Sequence, residues 1–200
     1  SHASHAIIET MSRNAGRSWR SFDPTQTRQD PAVTALPCRI LGLDPGSLRT
    51  GWGIIDLTEQ GEHHVANGCI RTGGGALASR LSAIHDGVAA LVREYRPQEV
   101  AIERVFVHRN PDSALKLGQA RGAALSAVWL PGVEVHEYAP RAIKLAVVGT
   151  GAAEKAQVAH MIRALLRIDS PLGADAADAL AIGLCHGQAR RLRGLGASVA

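Results

Sequence analysis

Apolar residues recur along this chain in two rhythms, and their succession predicts an alternation of strands and helices. Ile40-Leu41-Gly42-Leu43 is an almost continuously apolar run ending on Asp44, the pattern of a central strand covered on both faces. Pro45-Gly46-Ser47 supplies turn chemistry, Gly51 to Leu57 reads as a returning strand, and Glu62 to Ile70 as a third. These three are expected to form an antiparallel meander. After Gly73-Gly74-Gly75 the period becomes helical: Leu77, Leu81, Ile84, Val88, Leu91, Val92 and Tyr95 predict a helix that stops before Pro97. Val100 to Val105 predicts a fourth strand, carried back beside the first by that helix. Asn110 as cap and Pro111 at the first helical position open a helix to about Val128. Val133 to Tyr138 is a fifth strand, Pro140 opens a helix that stops at Gly149, another runs from about Ala152 to Arg167, and a last one starts near Ala174.

Three strands, then alternating helix and strand, then closing helices predict an α/β fold: a mixed five-stranded sheet, three antiparallel strands followed by parallel ones, with helices on both faces. No internal repeat is present. Residues 1–37 lack any period and contain the breakers Asp23-Pro24 and Asp30-Pro31, so they are expected to be a disordered leader or extension. Residues 38–190 are assigned to one catalytic domain and 191–200 to a flexible basic tail.

Composition narrows the function classes. Of 200 residues, 46% are hydrophobic and 20% charged, as in a soluble globular protein rather than a disordered or fibrous one. No apolar run approaches the roughly 20 residues needed to span a bilayer, and the first thirty residues lack the apolar core of a signal peptide; a cytoplasmic protein with no membrane partner is expected. Cys38, Cys69 and Cys185 are odd in number and far apart, which suggests neither a disulfide framework nor a zinc site. From Cys38 onward 18 basic side chains face 15 acidic ones. If four of those acids hold metal, 11 remain against the 18, a balance that favours a polyanionic partner.

Four acids stand out. Asp44 ends a buried strand, where a carboxylate is costly unless satisfied; capping the Pro45-Gly46 turn would be the simpler explanation. Glu103 lies inside a second apolar strand, and pairing with Arg104 is geometrically poor because adjacent strand residues face opposite ways. Asp175 and Asp178, three apart, share one face of a helix that is apolar almost all round. A favourable helix dipole explains one acid in the first turn; two like charges on a buried face repel unless a cation sits between them. If strands one and four are parallel neighbours, Asp44 and Glu103 emerge side by side at their carboxyl ends, where open α/β sheets bind ligands. The last helix can bring Asp175 and Asp178 to the same point. An all-oxygen cluster prefers hard cations, so Mg²⁺ is expected, with Mn²⁺ able to substitute.

The motifs Ile40-Leu41-Gly42-Leu43-Asp44-Pro45-Gly46-Ser47, Ala101-Ile102-Glu103-Arg104-Val105-Phe106, Asp112 to Gly122, Val147-Val148-Gly149, Ala153-Glu154-Lys155 and Asp175-Ala176-Ala177-Asp178 occur in that order. Together they resemble the RuvC-type Holliday junction resolvases over roughly Cys38 to Gln188. The resemblance implies a ribonuclease H-like fold and a homodimer that nicks two strands of four-way junction DNA symmetrically, in recombination and repair. It implies branch-migration motor proteins as further partners. On it, Asp44, Glu103, Asp175 and Asp178 match the catalytic, metal-holding acids. Lys144 and Lys155 match basic residues near the DNA phosphates, and Phe106 matches an aromatic that probes the junction centre. Arg104 departs from the Gln carried by many members and puts a further cation close to the site. Ala114, Gly118, Gly122 and Ser126 form a small-residue stripe suited to close helix approach, either within the chain or, as the resemblance favours, at the dimer seam. His186, eight residues and about 12 Å beyond Asp178 on one helix, is too distant to share its metal and reads as structural or surface. The rival readings are an actin-like ATPase or sugar kinase fragment, for which the chain is too short to supply two related domains, and an inactive junction-binding protein.

Overall fold

The alternation of faces along each strand explains how the chain buries its apolar residues. The structure is a computed structural model that describes residues 36–104, 111–129 and 133–197. Strands β1 (Cys38–Asp44), β2 (Arg49–Thr58) and β3 (Gly61–Arg71) are followed by helix α1 (Leu77–Tyr95) and strand β4 (Glu99–Glu103). Helix α2 (Pro111–Ala127), strand β5 (Glu134–Tyr138), and helices α3 (Pro140–Val148), α4 (Lys155–Leu166) and α5 (Ala174–Ala197) complete the order. The sheet runs β3-β2-β1-β4-β5. Pairing is antiparallel from β1 to β2 and β2 to β3, and parallel from β1 to β4 and β4 to β5. This is the mixed five-stranded sheet that the periodicity predicts.

On one face Leu41, Leu43, Ile54, Val100 and Ile102 pack against Ile84 and Val88 of α1 and Ala120 and Ala124 of α2. On the other, Ile40, Ile55 and Ala101 pack against α3, α4 and α5 through Ile143, Ile162 and Leu180. Adjacent residues Ile40 and Leu41 serve opposite cores, which is why the first strand is apolar throughout.

Most strand ends differ from expectation by one or two residues, and three differences are larger or bear on the site. The fourth strand is Glu99–Glu103, not Val100 to Val105; Val105 lies outside the described residues, as do Asn110 and Phe106. The helix expected from Ala152 starts at Lys155, because Glu154 is an N-cap whose side chain and that of Gln157 satisfy each other's backbone N–H groups. The last helix continues through Ala197, so 191–197, assigned to a flexible tail, are helical. Arg191 is not a solvated tail residue: it donates to the Thr58 carbonyl at 3.2 Å and pairs with Glu62 at 3.6 Å. Among the described residues no helix is long and apolar enough to cross a membrane.

Candidate active site

Strand register decides where the first two acids stand. In the parallel β1–β4 pair Ile40 lies opposite Glu99 and Leu43 opposite Ile102, so the next positions, Asp44 and Glu103, leave the sheet side by side. Both share a face with Gly42 and Ala101, the face covered by α5.

Glycines bring the other two acids to them. A Cβ at Gly42 would fall 2.1 Å from the Ala179 carbonyl oxygen, and one at Gly51 would fall 2.0 Å from that of Asp175. At Gly53 the obstruction would be the Leu180 side chain, at 2.6 Å. Gly42 and Gly53 are cross-strand partners, and Gly51 is the partner of Asp44. The helix backbone therefore lies directly on the sheet along a track without side chains, and its first turn sets down Asp175 beside the end of β1. Asp178, one turn later, faces the same point.

The electrostatics record this convergence. Burial, then the charges of Asp178 and Glu103, push the Asp44 carboxyl up to about 6, with Asp175 adding to the rise and Lys155 opposing it. Glu103 is raised by burial and by Asp178, against the pull of Lys155 and Lys144. Two of the sequence-predicted basic residues thus act on the same centre. Lys155 Nζ donates to Asp178 Oδ2 at 2.8 Å, and that contact raises its own pKa. With 83% of its side chain exposed, Lys155 remains open to solvent while it faces the acids. Phe106, the expected junction probe, lies outside the described residues.

The donor set fits a hard divalent cation. Asp44 lies within electrostatic reach of the other three acids and every donor is oxygen, but among the described residues no three of the four place carboxylate oxygens within 4.8 Å of one another, so a cation would have to draw them closer. Among the described residues, the Pro45-Gly46 turn offers Asp44 no side-chain hydrogen bond, so capping does not account for it. Nor does Arg104 pair with Glu103; its Nε lies 3.9 Å from Glu137 Oε2.

Several contributors escaped the sequence reading. Arg49 stands 3.6 Å from Asp175 Oδ2, and the Cys69 thiol donates to the same oxygen at 3.5 Å. Arg121, 13% exposed, donates from Nη1 to the Glu103 carbonyl and pairs through Nη2 with Glu137 Oε1, both at 2.6 Å. It ties α2 to the ends of β4 and β5 directly behind the Glu103 carboxylate. A signal for it existed: Arg121 adjoins Ala120 and precedes Ala124 by three, so a charge borders the inner stripe of the helix. His186 is fully buried rather than at the surface, the structural alternative of its sequence reading.

Removing the Arg121 clamp is expected to leave the Glu103 carbonyl without this donor and, among the described residues, Glu137 with only its longer contact to Arg104. Arg121→Ala should destabilise the protein by about 1–3 kcal/mol and weaken divalent-cation binding. Arg121→Lys, which can hold only one of the two groups, should fall between. Melting curves and Mg²⁺ titrations of both variants test this; wild-type values in each would leave Arg121 without a positioning role.

With the geometry in place, comparison with known proteins becomes informative. The family model described as "Crossover junction endodeoxyribonuclease RuvC" matches residues 40–186, which carry all four acids. The chain belongs to this family. A RuvC relative from Marinobacter nauticus is 56% identical over 147 residues, covering 74% of this chain and 84% of that one. A relative from Stenotrophomonas maltophilia is 56% identical over 156 residues, covering 76% and 89%. Among solved structures, Thermus thermophilus RuvC in complex with a Holliday junction substrate aligns at TM-score 0.73 and 32% identity, over 78% of this chain and 97% of that one. RuvC membership makes the chain a nuclease of the endodeoxyribonuclease class and sets aside the actin-like ATPase reading.

Proposed function

We infer that this protein resolves four-way DNA junctions, nicking two opposed strands by hydrolysing one phosphodiester in each. The observation that carries the reading is the group of four acids whose charges act on Asp44 at the carboxyl end of the β1–β4 pair, in a chain of the RuvC family. Its nuclease domain is read as residues 38–190.

Asp44, Glu103, Asp175 and Asp178 would hold the divalent cation, Mg²⁺ with Mn²⁺ as substitute. Bound there, the cation supplies an activated water and stabilises charge on the phosphodiester. The chain's own groups prepare that chemistry. Asp44 and Glu103 are fixed by strand register, and Asp175 is steadied by Arg49 and the Cys69 thiol. Lys155 holds Asp178 in place and, being exposed, offers its ammonium to an incoming phosphate; Lys144 adds positive charge beside Glu103. With Asp178 engaged in holding the cation, Lys155 would be free to pair with a substrate phosphate, which would keep the local charge balanced. Phe106 is read as the side chain that stacks at the junction centre.

A synthetic four-way junction incubated with and without Mg²⁺ tests the whole reading. Paired nicks at symmetric positions, dependent on the cation, are the expected result. Intact junction in the presence of Mg²⁺, with binding retained, would favour the inactive junction binder instead.

Homodimer formation is read from α2. Leu115, Gly118, Gly122, Ser126 and Trp129 follow one another at three- and four-residue steps, and all are exposed. Leu115 and Trp129 are 62% and 83% accessible, and a Cβ at Gly118 or Gly122 would meet nothing within 4 Å. The small-residue stripe therefore faces away from the chain's own core. A two-fold dimer joined there presents equivalent sites to equivalent strands. Gly122→Arg, with open space around it, is expected to fold normally and sediment as a monomer. Sedimentation as a dimer would move the seam elsewhere. Branch-migration motors are the further partners this reading anticipates.

A further inference from the structure

The amino end of β4 carries a second convergence of ligand-type side chains, unlike the first in composition. Glu99 precedes Glu103 by four residues, about 13 Å along a strand, and His186 follows Asp178 by eight, about 12 Å along a helix. Together with His136 of β5 they place one donor atom each within 4.8 Å of one another. Three elements meet here, β4, β5 and α5, far from the four acids.

One of the three side chains carries a ring nitrogen without a hydrogen-bond partner among the described residues. His136 Nε2 is buried and has no hydrogen-bond partner, a costly state for an imidazole nitrogen. The His136 and His186 rings stack at 4.3 Å with 25° between their planes. His186 is completely buried; its Nδ1 lies 2.7 Å from the Tyr138 hydroxyl, and its Nε2 lies 2.5 Å from Glu99 Oε2. Tyr138 holds the ring through Nδ1, which fixes its orientation as an outer partner does for a ligating imidazole, and leaves Nε2 directed at the Glu99 carboxylate. Arg190 Nε occupies the other carboxylate oxygen, Oε1, at 2.9 Å, which orients Glu99 and leaves Oε2 to the site. The Glu134 carboxylate is 3.6 Å from His136 Nε2 but lies outside the three-residue group, so it adds negative charge beside the site. Its charge, added to that of Glu99, offsets the repulsion that Arg190 would exert on a cation.

We propose that Glu99, His136 and His186 form a three-ligand binding site for a borderline divalent cation of the Zn²⁺ type, with solvent closing the fourth position. Two imidazoles with carboxylate suit Zn²⁺, not Mg²⁺. Binding replaces the proton between His186 Nε2 and Glu99 Oε2 by the metal, that proton leaves to solvent, and the two atoms, 2.5 Å apart, open to about 3 Å or more to admit metal–ligand bonds of about 2 Å. The ion joins β4, β5 and the carboxyl-terminal half of α5, so its role is to fasten the helix that carries Asp175 and Asp178, with no part in cutting.

The test uses the full chain, stripped with chelator and kept in saturating Mg²⁺ so that the four acids are occupied. Titration with Zn²⁺ is expected to show one ion per chain and a melting temperature higher by about 5 °C or more. Co²⁺ in its place should give the strong visible band of a tetrahedral nitrogen-containing site. Asp178→Asn should keep both responses, which separates this site from the proposed catalytic one. His136→Phe and Glu99→Gln should lose them, and His136→Phe, which removes the unpartnered nitrogen, should melt close to wild type without metal. A Zn²⁺ response unchanged in both variants, absent from the wild type, or abolished by Asp178→Asn would overturn the proposal.

Discussion

Asp44→Asn is expected to lower junction cleavage by about a thousandfold or more while junction binding stays within a few-fold of wild type. The substitution keeps size and removes one charge from the cation's ligand set, and loss of about 4 kcal/mol of transition-state stabilisation corresponds to that factor. The basic surface that grips phosphates is untouched. The same variant should be more stable than wild type when metal is absent, and the sign follows from the Asp44 carboxyl. Its pKa rises from 3.8 to about 6 on folding, so ionisation opposes the folded state. Stability tied to this group is complete below about pH 4 and is lost as pH climbs through 6. A rise of that size corresponds to roughly 3 kcal/mol. Metal-free Asp44→Asn should therefore match wild type near pH 4 and exceed it by up to about that amount at pH 8. Mg²⁺ should reverse the order at pH 8, because only the wild type gains its ligand. Urea unfolding at the two pH values, with chelator and with Mg²⁺, measures all of this; a wild type more stable than the variant in chelator at pH 8 would contradict a crowded carboxylate cluster.

Gly51→Ala should damage fold and function together. Its methyl would lie 2.0 Å from the Asp175 carbonyl oxygen and 2.6 Å from the carbonyl carbon, far inside contact distance. Both are backbone atoms of the first turn of α5, so no rotamer change relieves the clash. Overpacking of this kind costs about 1–3 kcal/mol, sometimes more, and here relief requires lifting the helix end that carries Asp175. The expected result is a melting temperature several degrees lower and a Mg²⁺ requirement for cleavage raised about tenfold or more. Gly74→Ala is the control: a Cβ there meets nothing within 4 Å, and stability should change by less than about 0.5 kcal/mol. Equal behaviour of the two variants would mean that α5 does not depend on the glycine track for its position.

The order of strands and helices was legible because each leaves a period. Alternation in β2, the 3.6-residue recurrence in α1 and the unbroken apolar run in β1 are local consequences of how many faces each element buries. The four acids were legible for a related reason: Asp44, Glu103, Asp175 and Asp178 break patterns that are otherwise apolar, and a charge in an apolar pattern needs a partner. Motif order then linked the acids to a family. The fifth strand was found although its residues alternate between half-buried and exposed.

What sequence could not supply was distance between elements. Gly42, Gly51 and Gly53 read only as weak strand positions until α5 lies on them. Nothing local to Arg121 states that it will meet the Glu103 carbonyl 18 residues away, and nothing in β4 announces that Glu99 will meet His186 across 87 residues. Arg191 looks like part of a basic tail until β2 and β3 bring Thr58 and Glu62 to it. Periodicity is a property of neighbours along the chain, so the sequence alone determined the elements, their faces and the residues out of place upon them. Which side chains share a site depends on register and on how closely helices approach the sheet, and those are settled by packing among elements distant in sequence.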